Sequence, residues 1–408
     1  MRYFLAFCGA LMSGMSPVLA RPVSYDEALR GAVLGQPQVR SRELQLDARR
    51  SAADAADELP DPTLRAGIRN LPVTGPDLLD PTMMTMLEVG IEQQIPNLAE
   101  RRARAGIATA DIETASAELA RTRYLARLGA GESWVRLAYA QRRLVVADTA
   151  LDQVYELVPV SRSAVSSGSA RPAESLEVRR AVLEIEDART AIEADEAAAQ
   201  AQLARYIDET DAVAAGEPPS AEIDPEELRR SLANHPEILL AGAQLREMQA
   251  RVDLARSDNR PDFGVSASYG VRERQYGDMF TVMGSITLPL FGKHRQQPLI
   301  AAADAEAQAA IANREDRMRA LNARFEADLA VWRSAFRQWQ RAREELLPLA
   351  RDRVSLETAS YAAGRADLID VIAAIKALAL LDIEILRREE ATVAAATRLR
   401  LAYTEDVQ

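Results

Sequence analysis

The 408-residue chain states one structural plan twice, and that repeat constrains its fold more than any local motif. Residues 24–206 and 225–403 run through the same order of helical and strand-like patterns. The match is clearest where each half begins. SYDEALRGAVLGQPQVRSRELQLDARRSAADAADELPDP lines up with DPEELRRSLANHPEILLAGAQLREMQARVDLARSDNRPD, which sets Leu29 against Leu228, Pro37 against Pro236 and Asp61 against Asp262. A period of about 200 residues lies far beyond the range of solenoid repeats. The expected organisation is an internal duplication: a leader over 1–20, a first structural repeat over 21–210, a linker over 211–224 and a second repeat over 225–408.

The leader is expected because Arg2 is followed by the apolar run YFLAFCGALM and a small-residue site ending at Ala20. That run is too short to be a spanning helix, which needs ~20 apolar residues. No later stretch reaches that length without charges. Cys8 is the only cysteine, and Phe7 precedes it where a lipid anchor needs a small residue. The mature chain is therefore expected to carry no thiol, disulfide or lipid. Losing Arg2 and no acid moves the net charge from -11 to -12, which argues against a nucleic-acid partner. Aromatics are few, and Glu, Asp and Arg alternate with abundant Ala, the composition of long packed helices.

In the first half, 24–58 has a helical pattern interrupted at Gln36-Pro37 and ended by LPDP. Two alternating stretches follow, 63–72 and 83–95, separated by the loop signal VTGPDLLDP. In the second of them Met83, Thr85, Leu87, Val89 and Ile91 share one face; Met84, Met86, Glu88, Gly90 and Glu92 share the other. Residues 97–166 then hold almost no helix breaker, which predicts a helix on the order of 100 Å long. Leu137, Leu144, Leu151 and Val158 recur every seven residues, with Ala140, Ala147 and Val154 three further on, a coiled-coil seam. Ser166 to Ser169 forms a turn around Gly168, Pro172 restarts the chain, and a helix returns to Tyr206. In the second half the helix to Ser257 is broken at His235-Pro236, strands are expected at 263–271 and 280–290, and a second long helix at 292–363. Phe325, Leu329, Trp332, Phe336 and Trp339 mark its buried stripe. Gly364 turns the chain into a last helix ending at Tyr403, and any C-terminal contribution to an equatorial region is expected to be small.

Two strands alone are not stable. Four strands of about ten residues have the length of tilted transmembrane β-strands, and each has one apolar and one small or polar face. The expected fold class is therefore mainly α with a membrane β-barrel: long helices forming a coiled-coil tunnel, and four barrel strands per protomer. Four strands cannot close a wide barrel, so several copies are needed. A water-soluble sheet packed on helices shares the alternation, but it leaves the leader and the missing globular core unexplained.

The leader, the duplication, LPDPTLRAGIRNLPV, VGIEQQIP, SITLPLFGK and YAAGRADLIDVIAA resemble the outer-membrane efflux family of which TolC is the type. The resemblance covers essentially the whole mature chain. LPDP, NLP and MTMLEVGIEQQIP are most similar to its heavy-metal resistance branch, the cobalt–zinc–cadmium and copper–silver kind. The resemblance implies a homotrimer with a twelve-stranded barrel in outer-membrane lipid and a helical tunnel through the periplasm. It also implies partners: a periplasmic adaptor and an inner-membrane pump of the RND type. The chain would be the passive, gated exit duct of that tripartite system. Ducts of multidrug or type I secretion exporters share these features, and a non-channel periplasmic coiled-coil scaffold shares the helices and leader. The first strand pair has no aromatic residue, so an interfacial girdle would rest on Tyr269, Tyr276, Phe280 and Phe291.

The two helical tips are the places where the resemblance puts the gate and the adaptor contact. Gly168 and Gly364 suit tight turns. Tyr361, Arg365, Asp367, Leu368, Asp370 and Val371 match the family's tip motif, and Arg171 and Glu174 are the corresponding candidates at the first tip. Repeated threefold, Asp367 or Asp370 would form an acidic ring that concentrates cations. Alternatively, Asp367 merely favours the first turn of the returning helix. On spanning strands Glu88 and Glu92 are expected to face the lumen. Met83, Met84 and Met86 offer thioethers suited to Cu(I), but at the start of a barrel strand they read as apolar filler. His235 and His294 lack ligand partners at useful spacing. No catalytic constellation, phosphate loop or cofactor motif is present in the sequence, and neither enzyme activity nor a resident metal is expected.

Overall fold

The computed structural model describes residues 21–76, 79, 81–82, 84–168 and 171–403. The expected leader, Met83, Ser169 and part of the loop after Val73 lie outside these residues. In chain order the elements are β1 (Arg21–Val23), α1 (Tyr25–Leu34), α2 (Pro37–Asp54), β2 (Thr63–Arg69), β3 (Met86–Ile95), α3 (Leu98–Ser166), α4 (Pro172–Ala204), β4 (Ala212–Ala214), α5 (Pro225–Arg230), α6 (Pro236–Ser257), β5 (Asp262–Val271), β6 (Met279–Thr287), α7 (Gln296–Arg341), α8 (Leu347–Ala362) and α9 (Leu368–Tyr403). The chain is mainly α, as its composition implies.

Three strand limits are tighter than the alternation predicts. β2 stops at Arg69 because Asn70 adopts a left-handed φ of 58°. There the Asn70 side chain donates to the Met84 carbonyl at 3.3 Å, and Thr85 Oγ1 donates to the Asn70 carbonyl at 3.0 Å. These bonds close the loop and delay β3 to Met86. β6 stops at Thr287, ahead of Pro289, which has no N–H for a ladder. The second long helix also departs from expectation. It starts at Gln296, after a turn in which the His294 and Arg295 N–H groups both donate to the Phe291 carbonyl. Pro348 then has no N–H for the preceding turn, and the helix widens into a π turn over Ala342–Leu346 just before it. Pro159, by contrast, sits within α3.

Two compact units divide the chain, and each takes segments from both sequence halves. One holds residues 21–36, 126–223 and 328–401. Its core gathers Trp134, Val135, Leu137, Tyr139, Leu203 and Val393. Leu137, Ala140, Ala147, Leu151 and Val154 of the expected seam are buried there. β1 and β4 pair in parallel, and Trp134 Nε1 donates to the Val23 carbonyl at 2.8 Å. Of this pair, β4 falls in the segment expected to be a linker, and β1 opens the first repeat. Trp332, Phe336 and Trp339 are only half-buried; Phe336 meets Trp332 in a tilted contact and Trp339 edge-on, and Trp332 Nε1 donates to the Ala221 carbonyl at 2.8 Å.

The other unit holds residues 37–125, 224–327 and 402–403. Leu321 and Phe325 lie in its core, where Phe325, Tyr403, His235 and Tyr124 form a chain of ring contacts 5.1 to 5.8 Å apart. It also contains the antiparallel sheet β2-β3-β5-β6. Asn97 anchors this sheet to the first turn of α3. Its Oδ1 accepts from the Glu100 N–H at 2.9 Å, and its backbone and side-chain N–H groups both donate to Asp262 Oδ1. A helix cap and the start of β5 are thereby fixed by one side chain.

Candidate functional site

The sheet is inverted relative to a water-soluble one. Register places Leu64, Ala66 and Ile68 beside Ile91, Val89 and Leu87, and these beside Ala267, Tyr269 and Val271. Tyr269 in turn faces Phe280, Ala267 faces Val282, and Phe263 faces Ile286. On the central strands this apolar face is the more exposed one: Leu87 is 56% exposed, Val89 47% and Ile91 49%, while the edge strands β2 and β6 are open on both faces. The intervening carboxylates are more sheltered, at 22% for Glu88 and 26% for Glu92. An apolar patch of this breadth is not left in water; it marks contact with lipid or another protein. The nine- and ten-residue strands β3, β5 and β6 have the length of tilted strands that cross a bilayer's hydrocarbon layer, and the seven-residue β2 is shorter. Tyr269, Tyr276, Phe280 and Phe291 are all exposed. The first three cluster at the β5–β6 turn, and Phe291 follows the far end of β6. Among the described residues no helix is long and apolar enough to cross a membrane.

The opposite face is small and polar. Glu88, Gly90 and Glu92 run beside Gly270, Ser268 and Ser266. Across β2, Arg69 meets Glu88 at 2.9 Å, and Arg65 pairs with Glu92. These arginines were not singled out from the sequence. Their alternation with Gly67 carried the signal, but the pairing needed the register. Met86 is buried on this face against Gly270, and Met84 is exposed in the loop before β3, so the two thioethers occupy different settings.

The helical tips come together within one unit. Gly364 has a φ of +66° and ends α8: its N–H donates to the Tyr361 carbonyl at 2.9 Å, and the Arg365 N–H donates to the Ser360 carbonyl at 2.8 Å. This double closure needs a residue free to adopt the left-handed region. Gly168, at φ +77°, ends α3 in the same region. Leu368 and Ile372 are buried with Leu151, Val154, Val178, Val182 and Ile185, and Tyr361 packs on this cluster. Val371 is also buried. The tip motif is thus partly an ordinary helix-packing stripe. Asp367 remains exposed and accepts from Arg171 Nη2 at 3.4 Å, linking the two tips of one chain. Arg171 also donates through Nε to the buried Glu174 at 3.1 Å. Glu174 first, then Asp367, holds the Arg171 guanidinium above its ordinary pKa. Asp370 lies in the first turn of α9 and accepts from the Asp367 N–H at 3.4 Å, a capping contact.

His235 caps α6 through Nδ1, which accepts from the Glu237 N–H at 3.1 Å, and His294 is exposed in a turn. Among the described residues, no group of three or more His, Cys, Asp or Glu is placed to hold a metal ion.

A sheet with one broad apolar face and paired charges on the other has the pattern of a membrane-barrel segment. Residues 228–404 match the outer membrane efflux protein family and constitute a domain of that family. The chain is 26% identical over 384 residues to the cobalt-zinc-cadmium resistance protein CzcC of Cupriavidus metallidurans, covering 90% of this chain and 87% of that protein. Its fold matches a membrane protein from Pseudomonas aeruginosa with a TM-score of 0.80 at 16% identity, over 93% of this chain and 90% of that one. It matches the transmembrane channel protein CusC with a TM-score of 0.78 at 14% identity, over 93% and 92%. Residues 228–404 are thus of the kind found in outer-membrane efflux channels, a family of transport ducts, and the fold of the chain is that of these solved proteins.

Proposed function

We propose that three copies form the passive, gated exit duct of a tripartite exporter whose cargo is heavy-metal cations. The inverted sheet carries this reading. β2 and β6 are its unpaired edges, and because neighbouring strands alternate in direction, these two edges run antiparallel. A copy's β6 therefore has the right polarity to pair with the next copy's β2, and three copies give a twelve-stranded closed wall. Closure removes the exposed edges, which lipid does not tolerate. The metal cargo is supported by the likeness to CzcC. No nucleotide or cofactor site is needed, because a partner pump supplies the energy through an adaptor, and an RND-type pump is the fitting source. On this reading Gly168, Arg171, Glu174, Tyr361, Gly364, Arg365, Asp367, Leu368, Asp370 and Val371 form the periplasmic gate and adaptor contact. Asp367 and Asp370 there draw cations towards the entrance.

Planar-bilayer conductance of the purified protein tests the duct. Discrete steps are expected, with cation preference reduced by about half or more in Asp367→Ala or Asp370→Ala. Steps unchanged in both variants would discard the acidic entrance and keep the duct. Absence of steps in the wild type and in Arg171→Ala, which releases the tip ion pair, would overturn the duct. The cargo is tested by loss of cobalt, zinc and cadmium tolerance on deletion of the gene in its host. Unchanged tolerance with lost drug tolerance would move the assignment to a multidrug duct.

A further inference from the structure

The lining face of the sheet has a charge arrangement that follows neither from its acidic composition nor from the need to keep it wet. Four charges lie on this face of β2 and β3, two of each sign: Arg65, Arg69, Glu88 and Glu92. None sits opposite its partner. Arg65 faces Gly90 and Glu92 faces Thr63, so their ion pair runs along the diagonal. Arg69 faces Met86 and Glu88 faces Gly67, and that pair takes the same diagonal at 2.9 Å. Gly67 and Gly90 leave the crossing points without side chains. A Cβ on Gly90 would stand 2.9 Å from Ser268 Cβ, whereas one on Gly67 would meet nothing within 4 Å. The arginines therefore have free space in which to lie across the strands. Beyond them the face is uncharged: Gly264, Ser266, Ser268 and Gly270 on β5, then Met279, Thr281, Met283, Ser285 and Thr287 on β6. Asp262, at the base of β5, is engaged by Asn97.

Exposed ion pairs of this kind contribute little to stability, in the range of ~0–1 kcal/mol. Their effect on the field is larger. Without the arginines, each copy would present two bare carboxylates to a narrow wet passage with low-dielectric walls, which concentrates counter-ions. Passage through a duct needs attraction weak enough for the ion to leave. We propose that Arg65 and Arg69 are charge-compensating residues of the channel lining: they hold Glu92 and Glu88 in ion pairs, so the wall is electrically neutral and does not retain an exported cation. This rests on the duct assignment. It places charge selection away from the barrel wall and makes Arg65 and Arg69 determinants of release.

The test reads the local potential directly and does not depend on the gate. Thr281→Cys on the lining face is labelled with a nitroxide in protein folded into lipid vesicles, and collisions with cationic, neutral and anionic water-soluble paramagnetic reagents are compared. With both arginines present, the cation-to-anion collision ratio is expected to be close to that of the neutral reference. In Arg65→Gln/Arg69→Gln it should rise about threefold or more. Adding Glu88→Gln/Glu92→Gln should return it to the starting value, and Arg65→Lys/Arg69→Lys should leave it low. A ratio unmoved by the double glutamine variant, in protein that remains folded and labelled, would overturn the proposal. A different result marks failure of the duct itself: a label reached by oxygen but not by any water-soluble reagent would show that this face is not in water.

Discussion

At the scale of single residues, His235 gives the sharpest expectation. Its ring lies between Tyr124 and Tyr403, its Nδ1 is occupied by the α6 cap, and its Nε2 is buried without a hydrogen-bond partner. Burial lowers its pKa below the ordinary 6.5; Glu237 opposes this, and Arg324 and Arg121 add to it. A base with a depressed folded pKa favours the neutral form. Its contribution to stability is thus present above pH 6.5 and lost as pH falls through the folded value. Urea midpoints at pH 7.5 and 5.5 should show a loss of stability on acidification. His235→Asn keeps a capping acceptor and removes the titration. It should lower stability at pH 7.5 by about 1–2 kcal/mol through the lost packing, yet flatten the pH dependence. An equal slope in both proteins would locate the acid sensitivity elsewhere. This role was not legible from sequence, where His235 is only a lone histidine before a proline. The neighbouring rings come from Tyr124 and Tyr403, far away along the chain.

At the scale of elements, the strands were legible because period-2 alternation survives in all four, and Leu87, Val89 and Ile91 do share a face as that pattern predicts. Their ends were not, because alternation says nothing about where a left-handed Asn70 stops a ladder. The β1–β4 pair was missed because three residues cannot show a period and its partners lie about 190 positions apart. The π turn had a visible cause in Pro348, whereas Pro159 is carried within a helix, so proline alone did not decide the outcome. The face assignment can be tested on β6 with two adjacent residues. Val282 lies on the apolar face and Met283 on the polar one, and both are exposed. Val282→Arg should cost about 2–4 kcal/mol per copy near the bilayer midplane and sharply reduce folding into vesicles. Met283→Arg should fold nearly as well as the wild type. Equal defects in the two variants would contradict a lipid-facing and a water-facing side.

At the scale of the molecule, one sheet leaves two edges, and its chemistry demands that both be covered. A contact between β6 of one copy and β2 of the next is head-to-tail, and such contacts either close into a ring or grow without limit. The difference is measurable. No cysteine follows Cys8 in the sequence, so introduced thiols can be the only ones in a chain cleaved after Ala20. Ala66→Cys on β2, combined in turn with cysteine at Phe280, Val282, Gly284 or Ile286 on β6, samples the apolar face of both edges. Directly opposed strand residues have Cα separations of about 4.5–5.5 Å, within disulfide reach, so one register should cross-link strongly while positions slipped by two residues do not. A closed ring of three produces covalent dimers and trimers and nothing larger. A ladder continuing past three would mean an open assembly, and folded membrane-inserted protein that cross-links at no register would remove the β2–β6 seam. The same gel thus separates closure from mere association, which a size measurement of the intact assembly does not.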